Sequence, residues 1–226
     1  MGRRTQPLTS TGLATLPEPG RTCVTWLLSA VQARDLDPAQ REAARSEWVE
    51  TVTSQWGTCG QVLHDHDDEV VGHVMYAPAA YLPGLASLPT APAGADAVVM
   101  VELAAVLPDP PAAVARHLVQ AMAKDLVERE VAAVEAFAQV GRGPRCTCGH
   151  DPALLGAVGF TLQRAHPAHP RYRMDLRKSL TWKDEFELAL ERVVGAVRPS
   201  PSTPKATRSI RSARVASASV EPSRLR

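Results

Sequence analysis

Ala97-Val-Val-Met-Val-Glu-Leu-Ala-Ala-Val106 is the most apolar run in the chain; Pro108, Pro110 and Pro111 follow, then Ala112-Ala-Val-Ala-Arg-His-Leu-Val-Gln-Ala-Met-Ala-Lys-Asp-Leu-Val-Glu-Arg129. About ten residues with several valines suit a central strand covered on both faces. The prolines break it. Over 112–129, Ala115, Leu118, Val119, Met122 and Leu126 fall on one side and His117, Gln120, Lys124 and Glu128 on the other, the pattern of an amphipathic helix. Ala132-Ala-Val-Glu-Ala-Phe137 reads as a second short strand. Strand, helix, strand in this order predicts a right-handed crossover with the two strands parallel.

Upstream, Cys23-Val-Thr-Trp-Leu-Leu28 reads as a first strand, rich in β-branched and aromatic residues. Pro38 marks the first turn of a helix through Gln55, whose apolar face should hold Ala43, Ala44, Trp48, Val52 and Trp56. Gln61–His64 and Val70–Tyr76, separated by a polar turn, predict a β-hairpin with a loop of four or five residues. The prolines from Pro78 to Pro92 predict a long irregular connection. Downstream come a short helix near Pro152–Ala157, a strand at Gly159–Leu162, a last strand at Tyr172–Leu176 and a helix capped by Thr181 that carries Trp182, Phe186, Leu190 and Val194. The fold class is therefore α/β, a mixed central sheet flanked by helices with an extra C-terminal helix.

Residues 1–20 and 197–226 show no apolar period, so both are expected to stay outside a domain at 21–196, and deletion of 1–20 and 200–226 to leave the melting temperature nearly unchanged. Of the 226 residues the net charge is only +1, yet 197–226 hold seven Lys or Arg against the single Glu221. The basic surplus thus sits in the tail, which lacks aromatics to stack on bases, and a solvated tail is expected before a nucleic-acid arm. No run of eighteen apolar residues occurs, so a soluble, cytoplasmic protein without membrane attachment is expected. Four cysteines without a secretory signal predict reduced thiols.

The order strand, helix, hairpin, long strand, helix, strand, short helix ending in Val158-Gly-Phe160 and closing strand resembles the GNAT superfamily of acyl-CoA N-acyltransferases over about 22–177. Ala97–Phe137 resembles that family's central cofactor motif, and Leu154–Phe160 the helix-to-strand step after it. The resemblance implies acetyl-CoA as co-substrate and an amine acceptor; the terminal helix with Trp182 and Phe186 could fold back on its own sheet or pair with a second copy as a homodimer. It also implies that the backbone of Leu103, Ala104, Ala105 and Val106 pairs with the pantetheine arm in the manner of an added strand. The pyrophosphate loop maps onto Pro110–Ala115, where Ala113 stands in place of a glycine, Ala115 fits, and Arg116 is placed to meet a phosphate. Pro110 and Pro111 each lack an N–H. The family's general-acid tyrosine maps onto Leu155, which cannot protonate a leaving thiolate. Two functions are therefore open: an N-acetyltransferase, or a catalytically silent protein of this fold that binds CoA or a partner.

Glu102, a charge inside the most apolar strand, is the candidate base for the amine, or else a locally paired carboxylate. Cys146-Thr-Cys148-Gly-His150 could be half a zinc site but lacks the two spaced pairs of one, and loop or packed cysteines are the alternative. His64–Glu69 reads first as a solvated hairpin turn. His166 and His169 alternate with prolines in a loop. Tyr76 and Tyr81 border the long connection and could grip an acceptor or simply pack.

Overall fold

The computed structural model describes residues 3–105, 111–141 and 148–176. The expected helix from Thr181, the basic tail and Val106 lie outside the described residues. Seven strands form one mixed sheet. They are β1 (Arg4–Pro7), β2 (Gly60–His64), β3 (Val70–Pro78), β4 (Ala97–Ala105), β5 (Ala133–Phe137), β6 (Thr161–Arg164) and β7 (Arg171–Asp175), in the spatial order β1-β2-β3-β4-β5-β7-β6. β4 and β5 are parallel, as the strand–helix–strand reading predicts, and every other pair is antiparallel. The helices are α1 (Ser10–Leu13), α2 (Ala30–Ala33), α3 (Pro38–Gln55), α4 (Pro111–Glu128) and α5 (Pro152–Ala157).

One face of the sheet packs on α4, where Val114, Leu118, Met122 and Leu126 meet Leu63, Val74, Met100 and Val134. That face matches the helical period of the sequence. Gly72 of β3 permits the approach, since a Cβ there would come within 2.6 Å of the Ala104 carbonyl and 2.8 Å of Val114. The opposite face packs on α3 and the N-terminal segment, with Trp26, Trp48, Val52, Met75, Val99, Val101 and Phe137. α3 begins at a capping box in which the Asp37 carboxylate accepts from Gln40 N and the Gln40 amide oxygen accepts from Asp37 N, with Pro38 in the first turn.

Three expectations need correction. Residues 3–20 dock instead of staying outside the domain: β1 pairs with β2 from Arg4↔His64 to Pro7↔Gln61, and Leu8, Leu13 and Leu16 are buried. Thr5 Oγ1 also meets His117 Nε2 of α4 at 3.1 Å. An edge strand bonded on one side needs little apolar surface of its own, which is why its polar composition concealed it. Cys23–Leu28 is a succession of turns, with both Leu27 N and Leu28 N donating to Val24 O; its apolar residues are adjacent rather than alternating and plug the α3-face core. On α3, Arg45, Trp48, Val49 and Val52 are the buried positions, whereas Ala43 is exposed. An arginine occupies a core position that hydrophobic periodicity scores as polar.

The hairpin is as expected, with a five-residue loop in which the Asp65 carboxylate accepts from Asp67 N and Glu69 N. Cys23 and Cys59 are free and buried, but Cys148 is disulfide-bonded, contrary to the expectation of reduced thiols throughout. Among the described residues, no helix is long and apolar enough to cross a membrane.

Candidate functional site

Everything of chemical interest starts where β4 leaves β5. The two strands pair from Ala97↔Ala133 to Met100↔Ala136 and no further, while β4 stays bonded to β3 as far as Ala105↔Gly72. Val101–Ala105 therefore have no strand partner on the β5 side among the described residues. The fork coincides with a bulge: Met75 and Tyr76 of β3 pair with Glu102 and Met100 of β4, which makes Val101 the extra residue. A bulge breaks the alternation of side chains, so Val101 and Glu102 both turn toward α3 while Met100 and Leu103 face α4.

This placement decides the environment of Glu102. Its Oε2 accepts from Arg45 Nη2, and its Oε1 lies 3.3 Å from His73 Nε2 without the alignment of a hydrogen bond; Glu102 and Arg45 are fully buried and His73 nearly so. Arg45 also donates to the Cys23 carbonyl and to Met75 Sδ. A carboxylate paired with a buried guanidinium and cut off from solvent is a locked charge. The sequence pointed to Glu102 but not to Arg45 or His73, which come from other elements.

The fork is closed on the β5 side by the segment leading into α5. Ala138 bridges to His150, Gln139 N donates to His150 O, and His150 Nε2 donates to the Met100 carbonyl at 3.1 Å, at the point of divergence. Burial holds the His150 imidazole below its ordinary pKa, against the opposing pull of the Met100 carbonyl and Glu102. His150 is thus a neutral strut, and with Cys148 disulfide-bonded the two are not arranged as zinc ligands.

α4 begins at Pro111, beyond the end of β4, and the amides of its first turn have no intrahelical acceptor. Ala113 and Arg116 are exposed there and Ala115 is buried; Leu103 is buried, Ala104 is half-buried and Ala105 is exposed. The fork edge and this helix start are therefore the accessible parts of the expected cofactor residues. Leu155, at the position of the expected tyrosine, is fully buried in the α4-face core.

A pocket of about 80 Å³ lies on the α3 face, beginning at Phe137, one residue past the last β4–β5 pair. Thr25, Trp26, Leu88, Gln139 and His169 line it with Phe137. Gly84 lets the long connection lie against the Thr25–Leu28 turns, its N–H donating to Trp26 O at 3.0 Å; a Cβ there would meet the Thr25 carbonyl. Thr90 Oγ1 donates to His169 O and so ties the β6–β7 loop to the same connection. His169, read from sequence as part of a spanning loop, is the one histidine among the described lining residues.

Tyr76 is not an acceptor grip. It is fully buried, donates to Asp125 Oδ2 at 2.8 Å, accepts from Gln61 and stands edge-on to Trp56, and burial pushes its phenol far above the ordinary value. Tyr81 offers its carbonyl to Trp48 Nε1. On the hairpin turn, Asp65, half-buried, and exposed His66 and Asp67 bring one ligand atom each within 4.8 Å of the others.

Solved structures similar to this chain include N-acetyltransferases. The ribosomal-protein-alanine N-acetyltransferase from Brucella melitensis matches at a TM-score of 0.50 and 15% identity, over 76% of this chain and 99% of that one. The PaiA N-acetyltransferase from Thermoplasma acidophilum, in complex with coenzyme A, matches at 0.47 and 12%, over 77% and 99%. The GNAT family N-acetyltransferase YhbS from Escherichia coli, in complex with CoA, matches at 0.36 and 21%, over 59% and 68%. No protein-family model and no curated protein matches the sequence. The strand order, the fork and the first of these likenesses establish a GNAT-type fold.

Proposed function

We propose that the chain is an N-acyltransferase that moves an acetyl group from acetyl-CoA to an amine. The observation that carries this reading is the fork itself: beyond Met100, Leu103–Ala105 have no strand partner on the β5 side among the described residues, and this edge runs toward the start of α4. Backbone groups of Leu103, Ala104 and Ala105 pair with the amides of the pantetheine arm, and the first turn of α4 with Arg116 faces the pyrophosphate. Pro110 and Pro111 withhold two donors from that cradle, so the strand edge carries more of the affinity than in a glycine-rich loop. Acetyl-CoA supplies a thioester carbonyl as the electrophile.

The acceptor amine enters from the α3-face pocket, which opens one residue past the fork. His169, the imidazole among the described lining residues, takes the ammonium proton there. Glu102 acts as a positioning residue, holding the bulge against α3 through Arg45, and not as the base. With Leu155 in place of a phenol, the departing thiolate takes its proton from solvent.

Leu155 also favours a second reading, a CoA-binding protein of this fold that does not turn over. Calorimetric titration with acetyl-CoA followed by a thiol-release assay on an amine panel separates the two. Binding with release supports the enzyme, and binding without release from any amine supports the silent protein. No binding at millimolar acetyl-CoA would remove both.

A further inference from the structure

Residues 91–96, the last part of the long connection, lie against β5 and β7, and charged side chains hold them there. Gly94 N donates to Glu135 Oε2 at 3.1 Å, and Asp96 receives two hydrogen bonds from Arg173, at 2.7 and 3.1 Å. The Ala91 and Pro92 carbonyls accept from Arg164 and Arg171. None of the six residues is buried, and among the described residues no backbone–backbone bond ties them to the sheet. The segment is anchored at both ends: Thr90 Oγ1 donates to His169 O at 2.8 Å, and Ala97 begins β4.

The charges on the sheet side are paired without this segment. Glu135, 1% exposed, meets Arg171 at 3.5 Å and Arg173 at 3.3 Å, and Arg173 Nε also donates to Asp175 Oδ1 at 3.0 Å. Lifting residues 91–96 away would therefore leave no buried ion alone, and the Asp96 side chain is already more than half exposed. Arg45 and Glu102 are the opposite case, since separating them strands a buried charge. A segment held by exposed ion pairs, over a surface whose own charges are matched, opens at low cost. Its fit is nonetheless close: a Cβ on Gly94 would stand 3.0 Å from Asp96 Oδ1, 3.1 Å from Glu135 Oε1 and 3.2 Å from Arg173 Nη1.

We propose that residues 91–96 are a strap that opens and closes over β5 and β7, latched by Asp96 on Arg173 and by Gly94 on Glu135. Phe137, two residues beyond Glu135 on the same face and paired with Arg171, lines the α3-face pocket together with Ser87 and Leu88 of the connection. The strap thus opens beside that pocket and gates its β5 side. The gating rests on the acceptor side of the proposed transferase; the opening does not, and is read without turnover.

Amide hydrogen exchange of the full chain, resolved by NMR, is the test. The amide at position 94 should exchange about tenfold or more faster than the paired amides of β5. Asp96→Asn should speed it a further three- to fivefold, roughly the worth of an exposed ion pair, and about 1 M salt should do the same to the parent but nothing to Asp96→Asn. Gly94→Ala drives a methyl group between the latch partners and should speed exchange there roughly tenfold, with β5 unchanged. Exchange at position 94 as slow as that of β5 in all three proteins would overturn the strap, whatever the turnover. Where amines are acetylated, Gly94→Ala should raise the amine KM about threefold or more at unchanged acetyl-CoA affinity, because a strap held open is a smaller fraction of the time in its binding form. An unchanged KM beside fast exchange would overturn the gating. Opening with no thiol release from any amine would keep the strap and remove the transferase, and the gating with it.

Discussion

Replacing Glu102 with Gln tests what holds the fork in shape. Glu102 and Arg45 are fully buried, and among the described residues the guanidinium donates to Glu102, the Cys23 carbonyl and Met75 Sδ. The glutamine amide oxygen can still accept from Arg45, but it carries no charge to offset the buried guanidinium, and breaking a buried ion pair in this way costs about 3–5 kcal/mol. At about 2–4 °C per kcal/mol for a domain of this size, the melting temperature should fall by roughly 6–20 °C. Replacing both partners, Arg45→Met with Glu102→Leu, removes the desolvation cost along with the attraction and should restore stability to within about 1 kcal/mol of the parent, or exceed it. Urea unfolding of the full chain followed by tryptophan fluorescence reads both. A loss below about 1 kcal/mol in Glu102→Gln, or a double variant no better than the single one, would refute the locked-charge account. The double variant also addresses catalysis: retained thiol release excludes Glu102 as the base, and lost release with unchanged acetyl-CoA affinity would reinstate it.

Leu13→Ala should cost about 2–4 kcal/mol because the side chain is 1% exposed in the α3-face core; denaturation within about 1 kcal/mol of the parent would show that the N-terminal segment does not dock. His150 is held below its ordinary pKa by burial, so the folded state resists a proton that the unfolded chain accepts near pH 6.5. Its contribution is therefore complete above about pH 6.5 and declines as pH falls below that value. His117 shifts the same way through burial and Arg3, so the comparison is with His150→Gln, whose stability should fall less steeply between pH 7 and pH 5; parallel profiles would contradict the strut role. Arg116→Ala should weaken acetyl-CoA by about 1–2 kcal/mol, since a charge-assisted phosphate contact is lost while the α4 start remains. Unchanged affinity by calorimetry would mean that the strand alone holds the ligand.

The elements that could be read from sequence are those whose own pattern determines them. β4 is a continuous apolar run, α4 keeps strict helical spacing, and the hairpin has a turn made of Asp residues. β1 could not be read this way, because Thr5, Gln6 and Pro7 become a strand only through the edge that β2 offers them. Cys23–Leu28 has the composition of a strand, yet in the fold it serves as a plug, since adjacent apolar residues suit a turn buried in a core better than a half-exposed edge. The site divides along the same line. Glu102 stood out as a charge in an apolar run, whereas Arg45 sat on a helix face that looked polar, and His169 in a loop acquires its neighbours only when Thr90 draws the β6–β7 loop inward.

The bulge at Val101 links the two halves of the argument. Beyond Met100 one extra residue in β4 marks the end of its pairing with β5 and sends Val101 and Glu102 to the α3 face together. A strict alternation would have turned Glu102 toward α4, among Leu118 and Met122, with no cation to receive it. The ion pair with Arg45 therefore makes the bulged register the low-energy one: sliding back by one residue would bury the carboxylate unpaired on the wrong face, at a cost larger than the bulge itself. On this account Glu102 shapes the fork edge at Leu103–Ala105 from a distance. Under the proposed function, its substitution should alter acetyl-CoA affinity through the geometry of that edge.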